Sequence, residues 1–177
     1  NAPANWLTQK NMVALARPVD LLIAKFGEMV KENVPLAPYT SARIGGPADI
    51  FITVDSVAAL ARVVKYLWKN DMPFLVMGGG SNLLVSDKGA RGVVVLNRAK
   101  KVTFHAGNQP SVSAESGVVF SNLANRCASK GFGGIEWAAA VPGTIGGAVY
   151  GNAGAFGGDV AGSLLSTELL TETGREK

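Results

Sequence analysis

Three glycine-containing segments carry the residue types that could hold a ligand. The first is Gly78-Gly79-Gly80-Ser81-Asn82-Leu83-Leu84, directly after the apolar run Phe74 to Met77. Successive glycines can turn several main-chain N–H groups toward one point, making an anion cradle unobstructed by side chains. Ser81 and Asn82 add a hydroxyl and an amide, so a pyrophosphate suits this loop. The other reading of the same residues is a tight turn, for which two glycines would serve. Two better-known phosphate loops are excluded. No Gly-Lys-Ser/Thr occurs, as a Walker A loop requires. The glycines also lead into Ser-Asn-Leu-Leu-Val rather than a helix, so a dinucleotide fingerprint is absent.

The second segment is Val141-Pro142-Gly143-Thr144-Ile145-Gly146-Gly147-Ala148, continuing through Asn152-Ala153-Gly154. Half of the chain's 22 glycines fall between Gly131 and Gly162. No Lys or Arg lies between Lys130 and Arg175, and Glu136 and Asp159 are the carboxylates of the glycine-dense stretch. A ligand here must be held by main-chain amides, Thr144, Asn152 and shape. That suits a flat, partly apolar group such as an aromatic cofactor ring, which glycine backbone can approach closely. Close packing of backbone segments would use glycines in the same way. The third segment, Tyr39-Thr40-Ser41-Ala42-Arg43-Ile44-Gly45-Gly46, sets Arg43 beside a turn, where its planar fork could pair with phosphate or carboxylate.

The remaining chemistry-bearing residues point elsewhere. His105 is the one histidine, which leaves no histidine metal cluster and no nucleophile–histidine–acid order. Cys127 is the one cysteine, so no internal disulfide exists, and its helical surroundings predict a packed core thiol. Trp68 and Trp137 read as core residues. The carboxylates show no pairing that suggests acid–base catalysis, and neither a catalytic residue nor a metal site is assigned.

These segments need a scaffold, and its outline is legible. The 177 residues are 47% hydrophobic and 17% charged, with a net charge of +4, enough to fold around a real core. The excess charge is scattered and not interleaved with aromatics, so nucleic acid is not an expected partner. No apolar run approaches the roughly 18 residues of a membrane helix, and a cytoplasmic location is expected. Apolar spacing predicts a helix from Asp20, as its cap, to near Asn33, ahead of Pro35. A strand follows over 48–54, then a helix over 57–69 capped by Ser56, with Leu60, Val63, Val64, Leu67 and Trp68 inward. The run 74–77 reads as a buried strand. Further strands are expected at 92–96, around Val102 and Phe104, around Val112 and Ala114, and over 164–171. A helix is expected over 118–129. The sum is an α+β domain. Asn1 is not a methionine, and Arg175 to Lys177 follow a turn, so the chain is expected to be a piece of a longer protein.

Taken together and in order, YTSARIGGPAD, FLVMGGGSNLLVSD and GIEWAAAVPGTIGGAVYGNAGAFGG resemble the UDP-N-acetylenolpyruvoylglucosamine reductase family. The resemblance runs from about Val34 to the end. It implies a vanillyl-alcohol-oxidase (PCMH-type) FAD-binding fold of two small α+β subdomains. Residues 1–17 would be a tail, 18–98 the first subdomain and 99–177 a second, incomplete one. A C-terminal substrate-binding domain would lie outside this chain and be its partner. The resemblance further implies non-covalent FAD, with Gly78 to Leu83 on the pyrophosphate, Val141 to Ala148 along the flavin and ribityl chain, and Asn152 to Ala155 close by. NADPH would be the hydride donor and a UDP-sugar the substrate. Ala42 stands where the family carries a bulky aromatic. The family's catalytic serine, arginine and glutamate have no match, because its Tyr-Arg-x-Ser motif does not occur here. Two further readings stay open: a FAD module of another flavin oxidase or dehydrogenase, with His105 or Cys127 as a covalent attachment point, or a non-catalytic binding domain.

Overall fold

A computed structural model describes residues 17–176. The expected N-terminal tail, apart from Arg17, lies outside the described residues. Helix α1 spans Pro18–Phe26. Proline suits its first position because the N–H it lacks would have no helical partner. Asp20 is not the cap; it sits in the first turn, with its carboxylate 2.8 Å from the Arg17 guanidinium. The helix also stops earlier than its apolar spacing predicts. Gly27 takes a φ of 59° that L-residues avoid, Gly27–Met29 forms a 3-10 turn, and Val30–Pro35 becomes strand β1. β1 pairs antiparallel with strand β2, Pro47–Val54, placing Val30 opposite Ile52. That pairing satisfies the main chain of 30–35 in a way no local spacing reveals.

Helix α2 spans Val57–Lys69, and Ser56 Oγ accepts from the Ala59 N–H at 3.3 Å as expected. Strand β3, Phe74–Met77, and strand β4, Ala90–Asn97, complete a sheet ordered β1-β2-β4-β3, with β4 parallel to both neighbours. Alternation along the strands divides the core between the two faces. Ile50, Ile52, Val54, Val93 and Val95 pack with Leu22, Val63 and Leu67 from α1 and α2. Phe51, Val94, Leu96 and Met77 pack on the other face with Leu36 and Ala48. β3 is not the buried strand its composition predicts. It forms the sheet edge, leaving Leu75 and Val76 exposed and Met77 buried. Trp68 is half-buried, edge-to-face on Phe74 with centroids 5.7 Å apart.

Strands β5, Val102–His105, and β6, Ser111–Ala114, form an antiparallel hairpin. Helix α3 spans Phe120–Ala128. Cys127 is 1% exposed in a cluster with Val118 and Leu123, the packed thiol expected. A 3-10 turn at Glu136–Ala140 precedes helix α4, Ile145–Tyr150. α4 was not expected, since Gly146 and Gly147 are poor helix formers. It forms because Ala148, Ile145 and Val149 join the cluster of Phe120, Val141 and Val160, so tertiary burial overrides propensity. Strands β7, Gly154–Ala155, and β8, Gly158–Asp159, make a tight hairpin leading into the short helix α5, Val160–Ser163. The strand expected over 164–171 reduces to β9, Leu169–Leu170, paired with β10, Arg175–Glu176. Leu164 and Leu165 stay exposed, and among the described residues no strand pairs with them.

Candidate functional site

The parallel alignment of β3 and β4 ends with Met77 opposite Leu96, delivering the Gly78 loop at the carboxyl end of the sheet. From the later half, residues 118–120 run beside 143–145. Phe120 N–H donates to Gly143 O at 3.0 Å and Ile145 N–H to Val118 O at 2.9 Å. The two glycine segments then meet. A Cβ added at Gly78 would collide with Thr144 Oγ1, and one at Gly79 would lie 3.2 Å from Gly143 Cα. Gly143, at φ 102°, leaves no room for a Cβ beside Ser81 Oγ. The third segment closes on the same loop. Ser41 N–H donates to Gly80 O at 3.1 Å, and Gly80, at φ 63°, packs on Tyr39 O and Thr40 Cα. Thr40, 3% exposed, stiffens that loop by donating to Ile44 O at 2.8 Å. Three segments separated by up to a hundred residues thus form one site.

Close packing is therefore one reason for these glycines, as the alternative reading held, but it leaves donors over. Among the described residues, no acceptor takes a hydrogen bond from the main-chain amides of Gly78, Gly79, Gly80, Ser81, Asn82 or Leu83. The same holds for Gly143, Thr144 and Gly147. Such groups want partners, which a bound anion or polar ligand supplies. Thr144 occupies the N-cap position of α4 but does not cap it. Its hydroxyl lies beside Gly78 instead, and the residue as a whole is 8% exposed. Gly147 is unusual among the glycines: its φ is ordinary for a helix and a Cβ there would meet nothing within 4 Å. The chain itself gives no reason for its lacking a side chain.

Arg43 is exposed, at φ 56°, its Nη1 3.5 Å from Pro38 O, and among the described residues it has no carboxylate partner. It is the cation of the three segments. Leu83 packs toward the β2–β4 core and Asn82 is exposed. Val141 and Ala148 are buried supports, while Pro142 is exposed. Asn152 is engaged locally: its Oδ1 accepts from Ala161 N–H at 2.9 Å and its Nδ2 lies 3.4 Å from Asp159 Oδ2. Ala153 and Gly154 continue that local framework, Ala153 N–H donating to Ala148 O at 2.9 Å and Gly154 pairing with Asp159. Trp137 is half-buried against Phe120, and a Cβ at Gly158 would strike its ring. His105 is exposed, 2.9 Å from Ser113 Oγ. Burial pushes the Cys127 thiol above its ordinary value, so it stays protonated and unreactive. Among the described residues no group of three metal-ligating side chains gathers, and no helix is long and apolar enough to cross a membrane.

An α+β scaffold that converges glycine loops rich in open amides defines a cofactor-holding domain, and comparison with known families agrees. The chain belongs to the FAD-binding domain family, whose model matches residues 48–177. Within it, the chain is similar to UDP-N-acetylenolpyruvoylglucosamine reductases. That of Clostridium novyi is 40% identical over 149 residues, covering 84% of this chain and 48% of that protein. That of Bacillus velezensis is 44% identical over 146 residues, covering 82% and 48%. The chain spans about half the length of the curated relatives it matches. The solved reductase from Thermus caldophilus superposes with a TM-score of 0.65 at 29% identity, over 82% of this chain and 50% of that one. Alkyldihydroxyacetonephosphate synthase superposes at 0.68 with 18% identity, over 92% and 34%, and shows the shared fold. The family resemblance and the fold read from the motifs hold.

Proposed function

We propose that this chain is the flavin-holding part of an NADPH-dependent UDP-N-acetylenolpyruvoylglucosamine reductase, an enzyme of peptidoglycan precursor synthesis in the cytoplasm. The observation that carries the proposal is the run of open amides at Gly78 to Leu83, set against Gly143 and Thr144. Those amides and the Ser81 hydroxyl hold the diphosphate, with Arg43 as the neighbouring cation. Gly143 to Gly147, with Thr144 Oγ1, line the isoalloxazine and ribityl side, where Gly147 lets the ligand approach the main chain. Asn152, Ala153 and Gly154 shape that wall. The division into 18–98 and 99–177 belongs to the same reading, the first part contributing two of the glycine segments and the second one. FAD, when bound, supplies the hydride relay between NADPH and the enolpyruvyl double bond. The residues of this chain hold and orient it without charge neutralisation by a basic cluster.

Binding is non-covalent. His105 is engaged with Ser113 and Cys127 is buried in another cluster, so neither is offered for attachment. The test is the visible spectrum of the purified, folded protein. Flavin absorbance that leaves with the supernatant after heat or acid precipitation supports the reading. Intact fold with no uptake of added FAD overturns it. Turnover of UDP-N-acetylglucosamine enolpyruvate with NADPH requires the part of the relatives that this chain does not span, where the catalytic serine, arginine and glutamate belong. Residues 1–177 alone are expected to show none.

A further inference from the structure

β4 ends on a polar side chain that the sequence does not single out. Asn97 is 5% exposed, and its side chain is paired through both the nitrogen and the oxygen. Its Nδ2 donates to Ser116 Oγ at 2.8 Å and its Oδ1 accepts from Ala99 N–H at 3.0 Å. Ser116 O in turn accepts from Gly146 N–H at 2.8 Å, and a Cβ at Gly146 would lie 2.9 Å from Ser116 Cβ. Gly117 is held against the main chain of Asn97 and Ala99, a Cβ there falling 2.5 Å from Ala99 O. One residue earlier, Leu96 pairs with Met77, which leads into the Gly78 loop. The end of β4 therefore touches both halves of the site, one through the β3 ladder and the other through the Asn97 amide and the main chain packed on Gly117.

Resting on the FAD reading above, we infer that Asn97, acting through Ser116, is the positioning residue that sets residues 143–147 against the Gly78 loop and thereby tunes flavin affinity. The amide suits this task. It offers donor and acceptor at once, and each is satisfied by a different part of the chain. Losing either contact leaves a buried polar group unpaired, a penalty the structure relieves by shifting the 116–118 strip and Gly146 with it.

The test uses Ser116→Ala, the milder change, and Asn97→Leu, which keeps a similar volume and can neither donate to Ser116 nor accept from the Ala99 N–H. FAD dissociation constants are measured by flavin fluorescence at a temperature where circular dichroism shows every variant folded. Ser116→Ala is expected to weaken FAD about tenfold, the loss of one buried hydrogen bond, Asn97→Leu at least as much, and the double variant no more than Asn97→Leu alone. Hydrogen exchange without FAD gives an independent readout: the Gly146 amide exchanges at least about fivefold faster in Ser116→Ala, while β2 is unchanged. Affinity within about twofold of the parent, full additivity, or unaltered exchange at Gly146 overturns the inference. If the parent itself takes up no FAD, the functional reading fails, and the exchange measurement still decides whether Asn97 and Ser116 hold the segment.

Discussion

Replacing Gly147 by alanine separates what the chain needs from what its ligand needs. In α4 this glycine has helical φ and open space around it, so an added methyl meets no neighbour. Alanine in a helix is favoured over glycine by about 0.8–1 kcal/mol, somewhat less in a single-and-a-half-turn helix such as this one. For a chain of 177 residues that gain corresponds to a Tm rise of about 1–4 °C in the absence of FAD. The methyl, however, occupies the surface on which the flavin is proposed to lie. FAD affinity should therefore fall by about tenfold or more, a loss of at least about 1.4 kcal/mol. Paired measurements on Gly147→Ala, thermal unfolding of the apoprotein and FAD titration of the folded protein, read both effects. Higher Tm with unchanged affinity would refute the placement of the ligand on this face. A lower Tm would refute the reading of open space itself.

Gly80→Ala should behave in the opposite way. Its left-handed φ and its contact with Tyr39 O add backbone strain to overpacking, about 2–4 kcal/mol together, and thermal unfolding should show a Tm about 5–15 °C lower even without FAD. Ser56→Ala removes the α2 cap and should cost about 1 kcal/mol, or about 2–4 °C, with FAD affinity unaltered. Cys127 should resist a thiol reagent in the native protein and react fully once unfolded. Its raised pKa also sets a pH trend. The folded thiol keeps its proton at pH values where the unfolded one has lost it, so this contribution is complete below the ordinary thiol range and declines as pH rises through it. Denaturant unfolding of the parent and Cys127→Ala between neutral and alkaline pH checks the sign, the parent alone losing stability from this source.

Local signals in the sequence were enough wherever a residue's own chemistry decides its structure. Ser56 marks the start of α2, short apolar runs mark β2 and β4, and alternation marks β5 and β6. The three glycine segments stand out because glycine is costly unless something requires it, and they also carry the family motifs. What the sequence could not show were the outcomes of pairing between distant segments. Val30–Pro35 is a strand because β2 offers it a ladder, β3 is an edge because β4 lies between it and β2, and α4 forms on its buried face despite two glycines. The meeting of Ser41 with Gly80 and of Gly78 with Thr144, and the hidden bond from Asn97 to Ser116, belong to the same class. A spacing along the chain reports only near neighbours, whereas burial and hydrogen-bond satisfaction are settled among residues brought together from far apart. Composition and motif therefore singled out the glycine segments, and only the tertiary packing brought them together.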